Sequence, residues 1–261
     1  MKLAGTKSAK GFLWRFAVCA ALFVALAAST AFAAEETYVL EGETVYRVRD
    51  GKKTLIENAE VRSQRIDSGA GGGIFWFTVD SQASEVMAGS KSGVYFFDDK
   101  GKALRFLPYD YAFTIGDIVF SDDGKQMVLD TGTWIVRVFF LYDFESLRQK
   151  AEFTGMGQVF WLDGNRFAFT MVEPDAEPRP SATDFDGWTS VVAFDTLDGR
   201  NVTIPVMKAT ETQNYLLTGV NPDKRELQIT ESSVKDKKDW VDMEKVKDKE
   251  LSVPYPATGD K

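Results

Sequence analysis

Any chemistry in this chain has to come from carboxylates. The 261 residues include no histidine and a single cysteine, Cys19. Without histidine there is no Ser-His-Asp or Cys-His machinery, no imidazole general base and no imidazole metal ligand. Cys19 falls inside an N-terminal leader, described below, so the remainder has no thiolate for zinc, haem or iron–sulfur ligation. Acidic residues are plentiful. Asp80, Asp117 and Glu173 lie near strand ends in successive predicted repeats. Paired carboxylates on either side of a sugar bond perform glycoside hydrolysis, and these three are the residues to test for it. Their plainer reading, as turn and surface acids, is favoured. Trp76, Trp134 and Trp161 invite a similar choice between stacking on sugars and packing between sheets, and packing is the commoner use of a strand aromatic.

Other motifs are weaker. Asp184-Phe185-Asp186-Gly187 alternates carboxylates before a glycine and resembles half of a calcium loop. It lacks the further acidic positions and the closing bidentate Glu of an EF-hand, so a solvated turn is the stronger reading and Asp184 and Asp186 are weak calcium candidates. Gly69-Ala70-Gly71-Gly72-Gly73 has no following Lys-Ser/Thr pair and no helix signal, which rules out a P-loop. Residues 173–188 form a Pro-rich acidic insertion that cannot build a core. As a surface loop it is either decoration or a partner-binding lip, for which Glu173, Asp175 and Trp188 are the candidates. No cofactor is expected.

The first 33 residues have the build of a cleavable secretory signal. Lys2, Lys7, Lys10 and Arg15 precede the apolar run Phe16 to Ala28, and Ala31-Phe32-Ala33 supplies an A-x-A cleavage site at Ala31 and Ala33. The apolar core is 13 residues long, short of the roughly 20 that a spanning helix needs. The expectation is a periplasmic or secreted protein of residues 34–261, with no membrane span after cleavage. The leader carries four basic and no acidic residues, which leaves 27 basic against 39 acidic residues, a net charge of −12. That charge repels nucleic acid and anionic lipid, so neither is expected as a partner.

These candidate residues hang on many short strands. Runs rich in Phe, Val, Tyr and Thr alternate with polar turns, and helical periodicity is nearly absent before residue 230. Two kinds of hairpin take turns. The first is represented by 117–129, turning at Ser121-Asp122-Asp123-Gly124-Lys125, and by 158–169, turning at Leu162-Asp163-Gly164-Asn165, with looser copies at 74–88 and 215–230. Asp-Gly favours such turns because it accepts positive φ. The second kind spans 93–107, 135–150 and 190–205, with a related hairpin at 44–57 and a weak last one at 240–254. Phe77, Phe120 and Phe160 stand 43 and 40 residues apart, and Tyr95, Phe140 and Ala193 stand 45 and 53 apart. Two hairpins every 40 to 50 residues make one four-stranded propeller blade, whose faces are buried only against neighbouring blades.

The fold class expected is therefore all-β, a β-propeller of about five four-stranded blades, one of which can be incomplete. Either the first blade is reduced, or the hairpin at 44–57 completes the last one. In the second arrangement residues 235–250 are free to be helical, since Trp240, Met243 and Val246 are three apart; a strand is favoured.

Phe120-Ser121-Asp122-Asp123-Gly124-Lys125 resembles the Phe-Ser-Pro-Asp-Gly-Lys turn of WD-like propeller repeats in TolB-type periplasmic proteins. Tyr95-Phe96-Phe97-Asp98-Asp99 resembles their aromatic third strand and its turn, and Asn221-Pro222-Asp223-Lys224 resembles a degraded copy. Asp122 stands where proline is usual. The resemblance implies the propeller architecture over about 38–255 and says little of a partner. The functional expectation is a non-enzymatic extracytoplasmic propeller that binds a protein partner or small ligand. The alternative is a carbohydrate-active hydrolase of the five-bladed type.

Overall fold

A computed structural model describes residues 37–57, 59–66, 72–79, 91–110, 114–132, 135–173, 187–196 and 202–256. The strands are β1 (Thr37–Glu41), β2 (Thr44–Arg49), β3 (Lys52–Leu55), β4 (Arg62–Arg65), β5 (Gly73–Val79), β6 (Gly93–Phe97), β7 (Ala103–Pro108), β8 (Ile115–Phe120) and β9 (Gln126–Thr131). They continue with β10 (Val136–Asp143), β11 (Arg148–Trp161), β12 (Arg166–Val172), β13 (Thr189–Asp195), β14 (Val202–Met207), β15 (Gln213–Asn221), β16 (Glu226–Ser233) and β17 (Lys247–Pro254). Every pairing is antiparallel and between sequence neighbours, in sheets ordered β1-β2-β3, β4-β5-β6-β7, β8 through β14, and β15-β16-β17.

The seven-stranded sheet is two blades sharing one strand. β11 pairs with β10 as far as Met156 and with β12 from Gly155 onward, and the second register shifts between Met156 and Phe160. Gly157 lies in that break at φ +71°, a conformation that favours glycine. Counted this way, the chain is a β-propeller array of five blades with three, four, four, four and three strands. Both end blades, not one, are short by a strand among the described residues.

Strand alternation explains the stacking. Phe77, Val79 and Phe97 of the second blade pack with Tyr38, Leu40, Val45 and Ile56 of the first. The opposite face, Ile74, Trp76, Val94 and Phe96, packs with Ile118, Phe120, Met127 and Leu129 of the third. Val128, Phe139 and Leu141 then meet Val159, Phe167, Phe169 and Val192 of the fourth. Ala168 and Val191 meet Tyr215, Leu217, Leu227 and Ile229 of the fifth. Side chains also bond across seams. Gln64 mimics a backbone, donating to the Phe120 carbonyl and accepting from its N–H, each at 2.8 Å. Trp161 Nε1 donates to the Val119 carbonyl at 3.0 Å, and the Leu217 N–H donates to Thr170 Oγ1 at 2.8 Å.

The turns follow the expected chemistry. Asp50 and Gly51 sit at φ +52° and +73° in the β2–β3 hairpin, the pair of positive values a type I′ turn requires. In the β8–β9 turn, Asp123 Oδ1 accepts from the Lys125 N–H and from Ser121 Oγ.

Three expectations need correction. The hairpin read at 74–88 is not a first hairpin: Gly73–Val79 is the second strand of its blade, between β4 and β6, and residues 80–90 lie outside the described ones. Phe77 is therefore not the counterpart of Phe120. Tyr95, Phe140 and Ala193 do match, each in the third strand of a blade. The hairpin at 44–57 belongs to the first blade and pairs with β1 rather than with the last blade. Residues 235–250 are neither one strand nor a helix. Lys237–Val241 is a 3-10 turn that buries Trp240, and the strand begins at Lys247.

The segment that leaves β17 is clasped onto the fourth blade at Pro256. Arg166 is 1% exposed; Nε and Nη2 bond Asp163 Oδ2 at 2.8 and 2.6 Å, and Nη1 donates to the Pro256 carbonyl at 2.6 Å. Replacing Arg166 with Ala removes all three bonds and a buried side chain. The expected cost is about 3 kcal/mol, read as a lower midpoint in urea unfolding with an unchanged slope.

Candidate functional site

The antiparallel order sends the blade connections to two ends. The turns after β8, β10, β11 and β15 and the end of β13 lie at one, here the turn end. The starts of β8, β10 and β13 and the end of β12 lie at the other, the loop end. Asp117 and Glu173 both reach the loop end, in successive blades. Asp80, Trp134, Asp175, Asp184, Asp186, Ala31 and Ala33 lie outside the described residues.

Asp117 is 53% exposed; its Oδ1 accepts from the Ile118 N–H at 2.8 Å and stands 3.7 Å from Arg62 Nη1. Glu173 Oε1 accepts from Ser190 Oγ at 2.5 Å. The two acids thus have separate partners, and no hydrogen bond or ion pair joins them among the described residues. Trp76 is buried against Phe120, with ring centroids 5.6 Å apart, and Trp161 packs on Phe167. Both serve packing. Among the described residues no group of three or more acidic or thiol side chains could hold a metal ion.

Asp130 is the acid that sequence reasoning missed. It pairs with Asp117 across β8 and β9, so the two carboxylates leave the same face. Its side chain is 8% exposed, with Oδ2 2.5 Å from Arg137 Nη1, while Oδ1 has no partner. Burial pushes its carboxyl above the usual range; the Arg137 guanidinium opposes this, and the Asp117 charge adds to it. Arg137 also lies over Gly116, whose carbonyl accepts from Arg62 Nη1. Four charges, Arg62, Asp117, Asp130 and Arg137, therefore surround the Gly116 bulge. The only sequence signal was one acid at the end of the apolar run Met127-Val128-Leu129, seven residues before an arginine.

The second feature of the loop end is the base of the insertion. The Glu173 N–H donates to the Trp188 carbonyl at 2.9 Å, which ties its ends together. Asn214 Oδ1 accepts from the Thr189 N–H at 3.0 Å, and Ser190 Oγ accepts from the Ala209 N–H at 2.8 Å. Trp188 meets Trp240 edge-on at 6.2 Å, and Trp240 Nε1 donates to the Glu211 carbonyl at 3.1 Å. Val241 and Met243 beside it are 57% and 60% exposed.

Acids at the turn end do other work. Asp143 is held below its ordinary range by the Ser146 hydroxyl and N–H. Asp123 is lowered as well, because bonds from Lys125 and Ser121 outweigh its burial.

No family model matches the chain, and no curated protein matches it. Solved structures similar to it include a prolyl endopeptidase at 14% identity, covering 66% of this chain and 26% of that one, with a TM-score of 0.48. TolB from Acinetobacter baumannii is similar at 12% identity over 76% of this chain and 47% of that one, TM-score 0.39. The β-propeller domain of the trilobed protease from Pyrococcus furiosus is similar at 12% identity over 87% and 65%, TM-score 0.42. The chain thus spans about a quarter of the endopeptidase and about half of TolB.

The raised carboxyl of Asp130 has a signed consequence. The folded state holds that proton more tightly than the unfolded chain does, so acidification through the folded-state value stabilises the protein relative to a variant lacking the group. Urea stability of the parent minus that of Asp130→Asn should rise as pH falls toward the ordinary aspartate range. A difference that is flat or falls would show that Arg137 outweighs the burial.

Proposed function

We propose that this chain is an extracytoplasmic β-propeller that binds a protein partner or ligand at its loop end and catalyses no reaction. In this reading residues 1–33 are a cleaved leader and residues 34–261 form one propeller domain, with 173–188 as an inserted binding loop. The observation that carries the reading is the base of that loop. Glu173, Trp188 and Ser190 are bonded to one another within the fourth blade, Thr189 between them bonds Asn214 of the fifth, and Trp188, Val241 and Met243 offer an amphipathic and partly exposed surface beside them. A rigid scaffold that presents a loop with an aromatic at its foot is suited to recognition. The periplasmic or secreted location rests on the leader pattern. No helix among the described residues is long and apolar enough to cross a membrane.

A hydrolase reading draws on one observation, the two carboxylates Asp117 and Asp130 on one face with unlike surroundings. Against it, Asp130 is engaged by Arg137 and its free oxygen is covered.

The experiment is capture of partners from the native envelope fraction by the mature chain, with mass spectrometry, followed by affinity measurements on variants. Trp188→Ala should weaken the captured complex by about tenfold or more, the scale of an aromatic anchor, and Asp117→Asn should leave it within about twofold. Glycan turnover by the parent chain that Asp117→Asn abolishes would replace binding with hydrolysis.

A further inference from the structure

At the turn end a cleft of about 400 Å³ opens between the first two blades. Its volume is at the lower end of the range that holds a small bound group, about 300–1,000 Å³. Leu40 and Phe75 supply an apolar floor, and the hairpin tip Glu41-Gly42-Glu43 faces the turn Asp98-Asp99-Lys100-Gly101 across it. The two walls are fixed by contact. Gly101, at φ +76°, lies so close to the Leu40 carbonyl that a Cβ there would stand 2.1 Å from its oxygen. A Cβ on Gly42, by contrast, would meet nothing within 4 Å, so the opening is unobstructed there.

The carboxylates around the floor are not equivalent. Glu41 is engaged by Lys53 at 2.5 Å. Asp98 Oδ1 caps its own turn, accepting from the Lys100 and Lys102 N–H groups at 2.9 and 2.8 Å. Glu43 and Asp99, one on each wall, make no hydrogen bond or ion pair among the described residues. An apolar floor with one uncommitted carboxylate on either side complements an apolar body that ends in a positive charge. Lys100 is the one basic residue in the lining and stands beside Asp99, so the pocket stays net acidic.

We propose that this cleft receives an arginine or lysine side chain of a partner polypeptide, next to an apolar residue that rests on Leu40 and Phe75. The charged head lies between Glu43 and Asp99. The site is at the opposite end of the blades from the insertion and does not depend on the loop-end reading.

The test uses the mature chain and the peptide amide acetyl-Phe-Arg-NH2, followed through the amide resonances of Gly42 and Gly101. Saturable shifts at submillimolar to millimolar peptide are expected, weakening with added salt as an exposed charge contact does. The double variant Glu43→Gln/Asp99→Asn should bind about tenfold more weakly. Either single variant gives a second measurement should the double one fold poorly. Acetyl-Phe-Gln-NH2 should produce no saturable shift. Equal binding by the neutral peptide, unchanged binding by the variants, or no shift with either peptide would each overturn the proposal. Phenethylamine binding as tightly as the peptide would overturn its polypeptide source.

Discussion

Everything in this molecule depends on covering sheets that are apolar on both sides. The second, third and fourth blades have buried aromatic and aliphatic residues pointing in both directions from their middle strands. β9 is buried at all six positions and β13 at six of seven. A sheet of this kind has no stable existence alone; each face must be removed from water by the next blade. Four apolar seams join five blades in series. The seams also have polar fasteners at Gln64, Trp161 and Thr170. A side chain that bonds the backbone of the neighbouring blade fixes sliding as well as distance, which apolar contact alone leaves loose.

The constraint relaxes at the two ends of the series, and the fifth blade shows how. Its inner face carries Tyr215, Leu217, Leu227 and Ile229. Its outer face is a ladder of hydrogen-bonded side chains: Thr230 to Glu250, Ser232 to Asp248, Gln228 to Ser252, and Ser252 to Glu226. Such a face needs no further blade and acts as a cap. Among the described residues no apolar cluster joins the fifth blade to the first. Arg166 holds the chain at Pro256, where the last strand leaves this cap.

The legible parts of the fold were those whose strands carry their own burial signal. Third strands such as Tyr95-Phe96-Phe97 and Val191-Val192-Ala193-Phe194 stood out, and so did turns with Asp-Gly. β4, Arg62-Ser63-Gln64-Arg65, did not, because it is held by pairing with β5 and by the Gln64 bonds to Phe120 rather than by apolar side chains. Missing it shifted the second blade by one strand. The length of β11 was hidden for a related reason: Glu152, Thr154, Gly155 and Gly157 interrupt its apolar pattern, yet Gly155 is required where Thr170 and Phe139 approach within 2.6 Å of its Cβ direction. At the loop end, Asp117 and Glu173 were legible as strand-end acids. Asp130 was not, since its importance comes from burial and a cross-strand neighbour, neither of which spacing reveals.

Among the described residues the outer edge of β17 is unpaired, and its charge pattern decides how well such a strand could accept another copy. Lys247, Asp248, Lys249 and Glu250 are all exposed and alternate in sign, which at first sight invites antiparallel self-pairing with every contact attractive. Symmetry forbids it. A two-fold axis normal to the sheet can only place residues of the same face opposite one another, so the residue numbers of each facing pair add up to an even total. Asp248 and Glu250 share one face and Lys247 and Lys249 the other. Registers centred on this segment therefore set lysine against lysine and acid against acid, which is destabilising in directly opposed pairs. Alternating charge thus disfavours two-fold pairing at this edge, the kind of protection that natural sheets give to exposed edge strands.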